Sequence, residues 1–228
     1  MIQTTITQEV QQEKEIQQID EKRIGFFQAW LLPKVLFYAS AYFCAKFALQ
    51  VYFLSLFEWL DTFAFLDSNQ DANISTMNDA GALIGSSAMG YISDMTYGKR
   101  SPVTLTALVF SCLIFYSLTI RYDSISYSKL MASFFFYGMF MQGVTNTIAA
   151  TCSADIGKGS SANGGSERAV ATVTGIIDGS GSVGASIGQF TVGATQSAFG
   201  WRYGYLLLIA IAQTVTIIPL AKITCGEV

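Results

Sequence analysis

The sequence predicts an all-α membrane protein, a bundle of six transmembrane helices, and three observations predict it. First, of 228 residues 51% are hydrophobic and only 13% charged, with a mean hydropathy of +0.41, whereas a soluble domain carries about a quarter charged residues. Second, charge is unevenly placed: Glu9, Glu13, Lys14, Glu15, Asp20, Glu21, Lys22 and Arg23 all precede Pro33, and beyond it apolar runs alternate with short polar gaps. Third, six of those runs approach the roughly 20 residues that a helix needs to cross a hydrocarbon core of about 30 Å.

The six runs are residues 35–57, 76–93, 103–120, 130–151, 169–193 and 203–221. The third and sixth are the most uniformly apolar. The second and fifth are rich in Gly, Ser and Ala, as suits helices packed against other helices rather than lipid. The domain plan is an N-terminal segment 1–32, a transmembrane domain 33–223 and a tail 224–228. Within the first, residues 9–23 form either a surface helix or a flexible lead-in, and the first span serves as its own insertion signal. Orientation follows from basic residues, which accumulate on the cytoplasmic side. With the N-terminus inside, Lys14, Lys22, Arg23, Lys34, Lys99, Arg100, Lys158, Arg168 and Lys222 are cytoplasmic, and Arg121, Lys129 and Arg202 lie opposite. Both termini are therefore expected in the cytoplasm.

Several classes fall away. A net charge of −3, scattered along the chain, offers nothing to a nucleic acid. There is no histidine, and Cys44, Cys112, Cys152 and Cys225 are too far apart for a metal knuckle, so they read as packing residues. No serine has a histidine to activate it, and no carboxylate pair marks a hydrolytic cleft, so neither enzyme nor cofactor is expected. Asp67, Asn69, Asp71 and Asn73 imitate the start of a calcium loop, but Ala72 replaces the turn glycine and Asn78 the bidentate Glu. Gly179, Gly181 and Gly184 match G-x-G-x-x-G with neither the preceding strand nor the following acid that a dinucleotide site requires. Asn73-Ile74-Ser75 is a glycosylation sequon close to the membrane.

The residues that carry chemistry lie inside the spans. Lys46 is eleven residues into the first span, hence about 17 Å deep. A cation near the midplane costs about 2.5–3.5 kcal/mol by insertion scales, so it faces a cavity or a partner. Tyr42 and Gln50, one turn to either side, extend a polar stripe for a ligand. Asp178 lies mid-way along the fifth span, with Thr174, Ser182 and Ser186 at helical spacing. It pairs with Lys46, takes up a proton or a ligand hydroxyl, or simply packs. Gln142 and Asn146, one turn apart in the fourth span, hydrogen-bond either a ligand or a neighbouring helix. Gly81 with Gly85, Gly175 with Gly179, and Gly184 with Gly188 read as close helix contacts. Between the second and third spans, Gly90-Tyr-Ile-Ser-Asp94-Met-Thr-Tyr-Gly98-Lys99-Arg100 combines a small residue for close approach, an acid that caps or pairs with Arg100, and a glycine for a tight bend.

That last stretch resembles the signature loop of the major facilitator superfamily. The likeness extends over residues 24–223. Ala29-Trp30-Leu31-Leu32-Pro33, Phe43-Cys44-Ala45-Lys46, Asp79-x-Gly81-x-x-x-Gly85, Ser153-Ala154-Asp155-Ile156-Gly157 and the run Ala171 to Gly184 are similar to the sugar-phosphate/phosphate exchangers, the glucose-6-phosphate and glycerol-3-phosphate translocators of the organophosphate:phosphate antiporter branch. The resemblance implies helices seven to twelve of a twelve-helix carrier, one six-helix half of the bundle. It implies organic phosphate and inorganic phosphate as substrates, phosphate contact at Lys46, and an endomembrane location such as the endoplasmic reticulum. Lys46 stands where many relatives have Arg, and Phe43 where some bacterial relatives have a ligand tyrosine, so sugar specificity is not inherited. The partner implied is an N-terminal six-helix half, covalent or separate, or a second copy. The other class of expectation is a non-transporting half that serves as an assembly or regulatory subunit, or a truncated gene product, since residues 3–23 resemble the linker between two halves.

Overall fold

A computed structural model describes residues 26–31, 35–61, 67–96, 100–121, 126–162 and 167–227. Among them every regular element is an α-helix: α1 (Phe26–Trp30), α2 (Val35–Trp59), α3 (Ser68–Met95), α4 (Arg100–Arg121), α5 (Tyr127–Ala162) and α6 (Glu167–Glu227). The residues 1–25 that hold the expected lead-in lie outside the described part.

The helices overrun the apolar runs that announced them. α3 begins eight residues before Thr76, where Asp67 takes the N-cap position and its backbone N–H donates to Gln70 Oε1 at 3.3 Å. The calcium-like spacing from Asp67 to Asn73 is thereby wound into the N-cap and first turns of a helix, where Asn69 Nδ2 donates to Asp67 Oδ2 at 3.4 Å, and the Asn73 sequon is helical too. α5 continues eleven residues past Thr151. Hydropathy marks only the lipid-immersed part of a helix, whereas caps decide where it starts and stops. α6 holds both the fifth and sixth runs and breaks at Gly200, whose φ of 73° and ψ of 165° suit only glycine. Its second arm stays helical to Glu227, into residues assigned above to a tail.

Contact registers show the direction of each crossing. A Cβ on Gly184 would collide with the Phe43 carbonyl, one on Gly188 would come within 2.9 Å of the Phe47 carbonyl, and Ser180 Oγ donates to the Ala39 carbonyl at 3.1 Å. Partner numbers rise together in steps of four, so α2 and the first arm of α6 are parallel. In the same way Gly81 meets Phe135, Gly85 meets Met139 and Gly143 meets Met89, which makes α3 and α5 a second parallel pair. The second arm of α6 runs the other way. Tyr205 at its start donates to the Tyr52 carbonyl at 3.4 Å, and Lys222 near its end sits 5.5 Å from the ring centroid of Phe37. The chain thus reverses at Gly200, and six segments cross with both ends of the bundle on one side.

Gly90, Gly175 and Gly179 correct the expectation that every small residue is a close contact. A Cβ on any of them would meet nothing within 4 Å. They lie on faces that no helix among the described residues covers, whereas Gly81, Gly85, Gly184 and Gly188 face α5 or α2.

Polar glue holds the interior. Gln213, fully buried in the second arm of α6, donates to Tyr137 Oη at 2.8 Å and Ser111 Oγ at 3.2 Å, while Tyr52 Oη donates to Asn78 Oδ1 at 2.9 Å. The rings of Tyr52 and Tyr137 pack tilted at 48° with centroids 4.6 Å apart, so one cluster ties all five long helices together. Such interhelical bonds contribute about 0.6 kcal/mol on average and at most about 1.7. Gln213→Leu is therefore expected to lower stability by about 1–3 kcal/mol. Thermal unfolding in detergent checks it, and an unchanged midpoint would mean that Leu packing replaces the bonds.

Three segments, Val35–Leu56, Arg100–Leu118 and Leu207–Cys225, are long and apolar enough to cross a membrane by composition alone. Leu207, Ile211, Val215 and Ile218, spaced as one helix face, stay exposed on the last of these, as does Leu113 with Ile120 on α4. These faces meet lipid. The segments that fall short of that test (α3, α5 and the first arm of α6) all belong to the glycine-packed pairs, and with them the chain is an all-α membrane protein.

At the start of α3, before the apolar run, Asp71 is 8% exposed and its Oδ1 has no hydrogen-bond partner. Burial, then the carboxylates of Asp61 and Asp67, raises its carboxyl above the usual range. The folded protein therefore holds this proton more tightly than the unfolded chain. The contribution to stability is full below the ordinary carboxylate range and is lost as pH rises through the raised value. Asp71→Asn is expected to raise the unfolding midpoint by a few degrees near neutral pH, and the gain should vanish below the ordinary Asp value of about 3.9. An equal gain at both pH values would assign the effect to packing instead of charge.

Candidate functional site between two parallel helices

Lys46 stands almost at the middle of α2, half-buried, on the flank that meets the first arm of α6. Its Nζ lies 5.4 Å from the centroid of the Tyr42 ring, within the roughly 6 Å of a cation–π contact. Among the described residues no carboxylate comes within 4.0 Å of it, and the ion pair that does form is Arg100 with Asp94, at 3.4 Å. The alternative in which Lys46 and Asp178 are ion-paired is thus not formed in this arrangement.

Tyr42 stands differently from the sequence reading, which set it beside Lys46 on a ligand-facing stripe. It is buried beneath Lys46. The reason is Gly181: an added Cβ there would lie 2.5 Å from Cδ1 and Cε1 of Tyr42 and 3.1 Å from Cγ of Lys46, so glycine leaves the notch that the ring fills. From it the phenol faces the carboxylate of Asp178, close enough to interact. Gln50, one turn beyond Lys46, is half-buried.

Asp178 is exposed, and Ser182 and Ser186 follow it along the same face. Their hydroxyls donate to the carbonyls of Asp178 and Ser182 at 3.0 and 2.9 Å, which leaves oxygen lone pairs facing outward. With Val183, Ile187 and Phe190 the two serines line an open groove of about 390 Å³. The face is amphipathic, polar near Asp178 and apolar farther on.

Gln142 and Asn146 do meet. Gln142 Nε2 donates to Asn146 Oδ1 at 3.4 Å, and Asn146 Nδ2 donates to Ser86 Oγ at 2.8 Å across to α3. They fasten the second parallel pair, and Asn146 stays exposed. Ser86 escaped the sequence reading, although it follows Gly85 at a close-contact position. Gln213 escaped it too, as a lone amide within the most apolar run. In the signature loop, Arg100 bridges Asp94 and the Ala150 carbonyl at 3.4 Å each, tying the loop to α5. Gly98 and Lys99 lie outside the described residues, as do the side chains around Asp155. Gly179, Gly181 and Gly184 all lie within helix α6, so they form no phosphate loop. Among the described residues no three Cys, Asp or Glu side chains converge as a metal cage requires.

No family model matches the chain. Individual proteins do. It is 37% identical over 210 residues to sugar phosphate exchanger 3 of Gallus gallus, an alignment covering 91% of this chain and 40% of that protein. It is 34% identical over 222 residues to sugar phosphate exchanger 3 of Homo sapiens, covering 96% and 43%. It is also 34% identical over 216 residues to putative glycerol-3-phosphate transporter 1 of Arabidopsis thaliana, covering 92% and 40%. The chain thus spans about two-fifths of the length of the curated relatives it matches. Over about nine-tenths of its own length this membrane protein is similar to proteins named sugar phosphate exchangers and putative glycerol-3-phosphate transporters.

Proposed function

We propose that this chain is one six-helix half of a carrier that exchanges a sugar phosphate or glycerol phosphate for inorganic phosphate by alternating access, with Lys46 as the phosphate contact. The single observation that supports this most is Lys46 itself. A mid-span cation with no carboxylate beside it, half-open to the side, is costly unless an anion occupies the site for part of the cycle. An ammonium is a compact point charge that suits a phosphate oxygen. The names of the homologues supply the chemical class of that anion.

The uncovered faces of α3 and the first arm of α6, where Gly90, Gly175 and Gly179 meet nothing, fit the place of a second six-helix half, separate or joined, or of a second copy. Rocking of two halves about a midplane site is how such folds alternate access. Both termini then face the cytoplasm, and the membrane is an internal one.

Counterflow tests the proposal. Vesicles carrying the chain in its native assembly and loaded with unlabelled phosphate should take up labelled glycerol 3-phosphate or glucose 6-phosphate. The same vesicles loaded with chloride should not. Equal uptake from both loads would sink the exchange mechanism, and no uptake from either would favour a non-transporting assembly role.

A further inference from the structure

We infer that Tyr42 is a positioning residue that keeps the Asp178 carboxylate off Lys46, leaving the ammonium available to a substrate anion; this rests on Lys46 being the phosphate contact. Lys46 and Asp178 carry opposite charges on adjacent helices, half-buried and exposed respectively, and opposite charges attract. Their direct pairing would be the default, and it would compete with phosphate. Yet Lys46 Nζ is held 5.4 Å from the Tyr42 ring centroid, and the phenol of that same residue faces Asp178.

Backbone packing holds the spacer in place. Gly181 leaves room for the ring, with an added Cβ only 2.5 Å from two ring carbons, and Gly184 and Gly188 lock the same two helices at Phe43 and Phe47. The ring is 5% exposed in that seat. A phenolic O–H near a carboxylate can donate to it without neutralising it, and the ring face is a weaker partner for an ammonium than a phosphate is. An incoming anion therefore displaces a ring contact and leaves no broken ion pair behind.

The test measures half-saturation for labelled inorganic phosphate in phosphate-loaded vesicles carrying the chain in its native assembly, alongside the amount of inserted protein. Tyr42→Phe is expected to raise half-saturation about tenfold with little change in maximal rate, because Asp178 is then free to pair with Lys46. Asp178→Asn should lower it about threefold, and the double variant should return to within about threefold of the parent. A second readout needs no transport: acylation of Lys46 by an amine reagent, followed by mass spectrometry, should fall in Tyr42→Phe and recover in the double variant. The inference is overturned if Tyr42→Phe changes neither readout, if Asp178→Asn fails to rescue it, or if Asp178→Asn is itself inactive. Lys46→Ala separates the two claims. Uptake that survives it removes the phosphate contact and this inference together, whereas uptake lost with no rescue by Asp178→Asn removes the spacer alone.

Discussion

Lys46→Ala is expected to weaken phosphate binding about ten- to a hundredfold while leaving insertion of the chain into the membrane unchanged. The magnitude follows from removing a charge-assisted contact, about 1.5–3 kcal/mol, at about 1.4 kcal/mol per decade of affinity. Insertion should not suffer, since the change removes a cation whose burial costs about 2.5–3.5 kcal/mol. The ring of Tyr42 loses only its cation, and its seat against Gly181 is unchanged. Lys46→Arg is the informative companion. It keeps the charge and adds a bidentate fork, so it should retain exchange, with altered affinity set by how the longer planar head clears the Tyr42 ring. Phosphate-dependent counterflow on quantified, inserted protein reads both. If Lys46→Ala and the parent exchange phosphate equally, the anion site lies elsewhere.

The largest effect on folding should come from Gly85. A Cβ there would run into the backbone of Met139 in α5 at both its carbonyl and its Cα, and Gly81 is in the same position against Phe135. Overpacking of this kind costs about 1–3 kcal/mol and more where only backbone stands in the way. Gly85→Leu is expected to exceed that range, to wedge α3 from α5 and break the Asn146–Ser86 bond one residue along, and to leave little protein that survives detergent extraction. Gly175→Ala is the control. Nothing lies within 4 Å of its added methyl, and alanine gains about 1 kcal/mol in helix propensity. It should be neutral or mildly stabilising in the isolated chain. Size-exclusion profiles and unfolding midpoints of the two variants, compared directly, check the pair, and equal behaviour would mean that these glycines are not what brings the helices together.

Read along the chain, each of the six apolar runs falls inside a helical segment, but the helix ends depart from the runs by as many as eight residues at the start of α3 and eleven at the end of α5. Hydropathy was weakest where packing was strongest. The segments of α3, α5 and the first arm of α6 carry too many Gly, Ser and Thr to score as lipid-facing, because α3 packs closely on α5 and the first arm of α6 on α2, contacts that need small residues more than apolar ones. The polar cluster around Gln213 was not legible, since one amide in an apolar run carries no information about which helix supplies its partner. Gly175 and Gly184 look alike in the sequence. Only the register of α6 on α2 turns one toward Phe43 and the other toward open space.

The sequence alone determined that the chain is an all-α membrane protein, because a run of apolar residues long enough for the hydrocarbon core has no other stable place. It also determined that Lys46 and Asp178 sit at mid-span, because depth in a helix is a matter of counting residues. The tertiary structure decided that the fifth and first crossings lie side by side and parallel, that Tyr42 drops into the space over Gly181, and that Lys46 remains without a carboxylate. Those outcomes depend on distances between residues more than a hundred positions apart. Such distances are set by which helix backbones can touch, and no local pattern along one helix encodes them.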